Sequence, residues 1–281
     1  MMARPRCPVM AKQRRSVEIF LSLGASAALV GSALGSTALG GTGMVNGQHA
    51  PEHHGAWLAG GGEGGEGGEG GEAHHQAAVN STAELLVVLA QMQGHLLVAK
   101  ELLSMKEFQG AEPHVGHPVD ELYGAIEPAL KARGIPPFLN TLEALRQQVR
   151  LDPGASSTAV KLDQAQAHIR SIEQALQGGA GSGNPVPEVV RGLVQSAVSE
   201  YEGAVAQGQI VEVIEYQDAR GFLMQAQQIL QHSRKLPDSD QSGLLAMGQV
   251  ISTMLEAFPS VLPPKRALMA PAALKALGSR L

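Results

Sequence analysis

Apolar residues recur with helical spacing over most of the chain beyond residue 80. Ser81 and Glu84 have the spacing of a capping box, in which each side chain satisfies the other's backbone N–H at a helix start. The helix that follows is expected to reach about Lys106. At about 100° per residue, Leu85, Val88, Leu89, Met92, Leu96, Ala99 and Leu103 share one face. Leu86, Val87, Leu97 and Val98 widen that face until the helix reads as buried nearly all round. Gln91, Gln93, His95 and Lys100 interrupt it too often for a membrane span. A turn around residues 108–110 is expected to lead into a second helix, closed by Gly134 just past its last turn. Pro136 and Pro137 break the chain, and helices follow at about 138–150 and 157–177.

Residues 178–184 form a Gly-rich linker. Pro185 and Pro187 then open a helix over about 187–206, Gly208 marks a turn, and a partner helix covers about 210–232. A helix over about 240–257 stops before Pro259, and a short one within RALMAPAALKALGSR packs back on the rest. No strand-like alternation occurs in residues 80–281. The expected fold is all-α, in two helical-bundle halves at 80–177 and 185–281, each of ordinary domain size. Ile210, Val213, Ile214 and Gln217 are placed on the buried side of their helix, which turns Glu212 and Glu215 to solvent. Asp218 falls at the border of that side and is the better candidate for burial. Tyr201 and Tyr216 are expected to fill the gap between helices with their hydroxyls on polar partners, whereas His168 and His232 stand on polar stretches and read as surface residues.

The first 40 residues differ in kind. A basic stretch with Arg4, Arg6, Lys12, Arg14 and Arg15 precedes a small-residue, weakly apolar run, the pattern of an export signal with cleavage near Gly40. An uncleaved anchor is the alternative, since about 20 such residues can span a bilayer. Residues 41–79 are low in complexity. Glu63, Glu66, Glu69 and Glu72 punctuate glycine pairs, flanked by His49, His53, His54, His74 and His75. So much glycine has little apolar surface to offset its ordering entropy, so this stretch reads as a disordered tether. It serves either as a spacer or as a weak metal-gathering tail.

Composition narrows the functional classes. Aromatic residues make up 3% of the 281, so alanine and leucine must build the core, which suits packed helices. The net charge is −5, and residues 1–40 contribute five bases against one acid, so the remainder carries −9. Such a chain is a poor binder of nucleic acid, which requires Lys and Arg at the phosphates, and cations are its expected partners. Cys7 is the lone cysteine, which excludes an internal disulfide and a cysteine-based zinc site. No nucleophile–base constellation or phosphate-cradling glycine loop is present, so a non-enzymatic protein is expected.

The densest coordinating chemistry lies in MQGHLLVAKELLSMKEFQGAEPHVGHPVDELY, which holds Met92, His95, His114, His117, Asp120 and Glu121. Histidine is the commonest metal ligand. His114, His117 and Glu121 follow i, i+3, i+7 spacing on one helix face, and an antiparallel hairpin would bring His95 opposite them. Three imidazoles with Glu121 suit iron, copper or zinc, and Met92 would favour copper. Pro113 and Pro118 complicate this face: the segment between them reads as a distorted turn in which His117 would cap the next helix. A role in structural hydrogen bonding is the competing reading for all three histidines.

In the second half, Glu200-Tyr201, Ala204-Val205, Gly208, Glu215-Tyr216 and Phe222 resemble the extracytoplasmic helical domain of bacterial high-affinity iron permeases, over about 188–257. The resemblance implies a periplasmic, metal-associated helical module. It does not imply transport, because the permease's membrane helices and Arg-Glu-x-x-Glu motif are missing; Val211 stands where the arginine would precede Glu212 and Glu215. A looser analogy links the first half to imelysin-like periplasmic proteins, although Val98 occupies the acid position of their Gly-x-His-x-x-Glu pattern. The expected protein is thus periplasmic or secreted and binds a metal ion through His95, His114, His117, Glu121 and Met92, in metal acquisition or buffering. A membrane permease or cytochrome is its expected protein partner, with no membrane insertion after signal cleavage. A metal-free interaction module is the alternative, and haem binding a weaker one.

Overall fold

The computed structural model describes residue 79 and residues 81–177, 184–233 and 240–281. The expected signal, most of the tether and nearly all of the Gly-rich linker lie outside the described residues. Within them the chain is all-α apart from one short hairpin.

Helix α1 (Thr82–Met105) starts at the capping box, with Ser81 N–H donating to Glu84 Oε2 at 2.9 Å and Glu84 N–H donating to Ser81 Oγ at 3.0 Å. It ends where Lys106 turns left-handed at φ 66°, and the Lys106 and Glu107 N–H groups return to the carbonyls of Leu103 and Leu102. This closure places the turn at Lys106 and Glu107, so residues 108–110, read as a turn from sequence, already belong to α2 (Phe108–His117).

Pro118 does not break the chain after α2. The backbone widens into a π-helical turn (Pro118–Leu122), in which Tyr123 N–H reaches Pro118 O, and continues as α3 (Tyr123–Ala132). The wider turn accommodates a residue that has no N–H to give and whose ring crowds the preceding turn. His117 has α-helical backbone angles of −52° and −45°, so it is a face residue and not a cap. Gly134 closes this run at φ 67°, as expected. Helices α4 (Leu139–Leu151) and α5 (Ser156–Gln177) complete the first half.

The second half contains α6 (Val186–Ala204), α7 (Val213–Ser233), α8 (Gln241–Leu255) and α9 (Pro271–Gly278). Between α6 and α7 lies a hairpin, β1 (Val205–Ala206) and β2 (Gln209–Ile210), turned by Gln207 and Gly208, both at positive φ. Strands of two residues are too short to show alternation. The hairpin also corrects the expected burial of α7. Ile210 is a strand residue, so it cannot set the phase of the helix, and Val213 and Ile214 are 46% and 39% exposed. Gln217 and Asp218 are buried as expected, and the rest of the buried face is Tyr216, Ala219, Phe222, Leu223 and Ala226. Tyr201 and Tyr216 donate from their hydroxyls to the carbonyls of Met269 and Ser260, as expected.

Two large apolar cores flank α1, and a small third one joins its Val98 and Leu102 to Ala111 and Val261. One side of α1 gives Leu86 and Ala90 to a core with Leu193, Tyr201, Phe222 and Ile251. The other gives Leu85, Leu89, Met92 and Leu96 to a core with Leu122, Tyr123, Phe138 and Leu142. Two-sided burial is why α1 is apolar around most of its circumference. By length and composition α1 could cross a membrane, yet 72% of that stretch is buried inside the protein.

Candidate metal centre

The contact between α1 and α7 is set by glycine. A Cβ built on Gly221 would stand 2.6 Å from Gly94 O and 2.7 Å from Val98 Cγ2, and one on Gly94 would stand 2.8 Å from the Phe222 ring. Only two residues without side chains allow so close an approach. One residue from Gly94 stands His95, and three residues before Gly221 stands Asp218. The approach brings His95 Nδ1 to 2.8 Å from Asp218 Oδ1. Beside it, Glu101 and Arg220 pair at 2.5 and 3.2 Å, fixing the same register of α1 on α7.

Helix α2 supplies the other imidazoles. His114 Nδ1 lies 2.7 Å from Asp218 Oδ1, and its Nε2 lies 2.8 Å from Gln217 Oε1. Gln217 Nε2 in turn donates to the Val261 carbonyl at 3.1 Å. His117 Nδ1 is 3.3 Å from Asp218 Oδ2, close but not aligned as a hydrogen bond. Arg146 of α4 ties this helix to the π turn that follows it by reaching Glu112 at 3.0 Å and Asp120 at 2.7 Å. Gly116 gives the guanidinium room to pass, since a Cβ there would stand 3.1 Å from it.

Three Nδ1 atoms thus surround one carboxylate. His95 and His114 are wholly buried, the Asp218 side chain is 3% exposed, and His117 reaches the surface at 12%. Each of the four residues offers one ligand atom, and these atoms lie within 4.8 Å of one another. Such a three-nitrogen, one-oxygen group fits a single transition-metal ion, with His117 Nδ1 not otherwise committed to a hydrogen bond. Glu121 stands at the rim, 3.9 Å from His117 Nε2, and Met92 packs in the apolar core beside α1. His232 is exposed, and His168 is half-buried against Thr141 and Phe138.

Asp218 is the member that periodicity alone did not join to the histidines, although it was singled out for burial. It stands 123 residues from His95 in the chain. The signals for it are a carboxylate inside an otherwise apolar helix face and the glycine that follows three residues later.

The charges support one another. Burial alone would raise the Asp218 carboxyl, but His95 and His114 beside it hold it well below its ordinary 3.8. Burial likewise opposes charge on His117, yet contact with Asp218 outweighs it and lifts the imidazole above its ordinary 6.5. A depressed acid contributes stability that is present above 3.8 and lost as pH falls through its folded value. A raised imidazole contributes stability that is complete below 6.5 and lost as pH climbs through its folded value. The metal-free protein therefore gains most from this pair between those two values. An ion held by these imidazoles would need them unprotonated, so any stabilisation from it would be largest above them. Unfolding midpoints of wild type and His117→Gln across about pH 4 to 9 test this; a metal-free wild-type advantage that grows above pH 7 contradicts it.

No curated protein and no solved structure significantly matches this chain. Helices α6 to α9 do have relatives, in the segment whose residues resemble the iron-permease domain. Residues 184–281 match the family described as the iron permease-associated 4-helix bundle domain, which links the protein to iron permease systems.

Proposed function

We propose that this is an exported, non-enzymatic metal-binding protein that acquires or buffers iron for a membrane permease. The observation that carries the reading is the convergence of His95, His114 and His117 on buried Asp218. Burying four ionisable groups is costly unless they pair or hold an ion. An imidazole-rich set with one carboxylate suits Fe(II), Zn(II) or Cu(II) more than a soft Cu(I) ion. The permease-associated bundle favours iron among these. Asp218 lies between two imidazoles, which suits a single ion and not the plane of a porphyrin. The basic and apolar start of the chain supports export, and the His- and Glu-rich tether supports collection of ions near the site.

One observation favours a metal-free interaction module: Asp218 Oδ1 stands at hydrogen-bond distance from Nδ1 of both His95 and His114, so the buried groups can satisfy one another. Anaerobic titration of the full-length protein with Fe(II) separates the two. One ion per chain is expected. His114→Ala is expected to weaken uptake at least about 100-fold, since changing a mere outer partner of a ligand costs about 10–100-fold. Replacing the five tether histidines is expected to leave that tight ion in place. Absence of one-to-one uptake of iron, copper or zinc, or uptake indifferent to His114→Ala, rejects the proposal.

A further inference from the structure

We infer that Gln217 is a positioning residue that locks His114 in one tautomer and so keeps His114 Nδ1 as the metal-facing nitrogen. This rests on the metal reading above. Gln217 is 3% exposed, and both ends of its amide are engaged. Its Nε2 donates to the carbonyl of Val261, and a carbonyl can only accept, so this bond decides which end of the amide is NH2. Oε1 must then face His114 Nε2. Because an amide oxygen also only accepts, His114 Nε2 has to carry a proton.

The consequence falls on the other nitrogen. In a neutral His114 ring, Nδ1 has a bare lone pair, and it faces Asp218 Oδ1 at 2.7 Å. Two acceptors hold that separation only with positive charge between them. A metal ion supplies that charge, and ligating histidines in general give their other N–H to an acceptor that fixes the ring. Without Gln217, a neutral His114 would place its proton on Nδ1, where Asp218 accepts it, and the nitrogen needed for the metal would be occupied.

Gln217→Met keeps the length of the side chain and removes both hydrogen bonds. Nitrogen NMR of the full-length, metal-free protein, with the ring neutral, is expected to show the His114 proton on Nε2 in wild type and on Nδ1 in Gln217→Met. Cobalt(II) titration is expected to show affinity about 10–100-fold lower in that variant, with displaced visible bands. Gln217→Glu can still accept from Nε2 and is expected to keep the wild-type proton position, so it guards against a variant that merely folds badly. A partner that only satisfies buried groups would change stability and leave the proton where it is. The inference is overturned by an unmoved proton in Gln217→Met, by cobalt affinity within about twofold of wild type, or by loss of the Nε2 proton in Gln217→Glu. A wild-type protein that binds neither cobalt(II) nor zinc(II) sinks the metal reading instead, and the proton position still decides the role of Gln217.

Discussion

Asp218→Ala is expected to cost the metal-free protein about 3–5 kcal/mol and to abolish one-to-one ion uptake, because it removes the anion from a buried charged cluster. The carboxylate is the acceptor for His95 and His114 and the near neighbour of His117. With it gone, any protonated imidazole in the cluster becomes a buried charge without a counter-ion, and the neutral rings lose their common acceptor. An ion would also lose its oxygen ligand. Asp218→Asn, which keeps the shape and loses the charge, is expected to recover part of the stability and little of the uptake. Urea unfolding of the metal-free proteins and Fe(II) titration measure the two effects separately. An Asp218→Ala protein with wild-type stability would show that the cluster is not electrostatically tied together, and tight binding in it would remove Asp218 from the ligand set.

Gly221→Ala and Gly124→Ala make the same chemical change and are expected to have opposite signs. Alanine is favoured over glycine in a helix by about 1 kcal/mol. At Gly124, exposed on α3, a new methyl meets nothing within 4 Å, so the gain is expected in full. At Gly221 the methyl falls on the Gly94 carbonyl and the Val98 side chain, and backbone cannot move aside as a flexible chain end does. Overpacking of this kind costs about 1–3 kcal/mol, and here α1 must shift on α7 to relieve it. The shift lengthens the His95–Asp218 contact, so metal affinity is expected to fall together with stability. A Gly221→Ala protein as stable as Gly124→Ala, with unchanged affinity, would mean that the helix crossing tolerates separation and does not set the site.

The site joins parts of the chain that the sequence separates. Three of its four groups lie on α1 and α2, and only Asp218 lies in the segment that matches the permease-associated bundle. Helix α1 is shared between both large apolar cores, so the histidine it carries is presented to α7 and α2 together. The His–Asp contacts therefore depend on the packing of the first half against the second.

Much of this was legible beforehand because helix periodicity is local. The capping box, the C′ glycine at Gly134, the buried circumference of α1 and the two tyrosines each follow from residues within a few turns. Local pattern misleads where geometry of another kind interrupts it. Carrying the phase of α7 through Ile210, a strand residue, places Val213 and Ile214 inside, whereas the structure exposes them. Pro118 reads as a disruption because the loss of an N–H is visible in sequence, whereas its absorption by a wider turn is not.

By itself, the sequence determined that the described chain is helical, where its main punctuation falls, and that three histidines lie on the two arms of one helical hairpin. It did so because hydrophobic spacing and cap chemistry act between neighbours. The tertiary structure alone decided that Asp218 is their common partner, that Gln217 orients one of them, and that Glu121 stands at the rim while Met92 serves the core. Those outcomes depend on the distance between α1 and α7, which two glycines far apart in the chain set by lacking side chains at the same crossing.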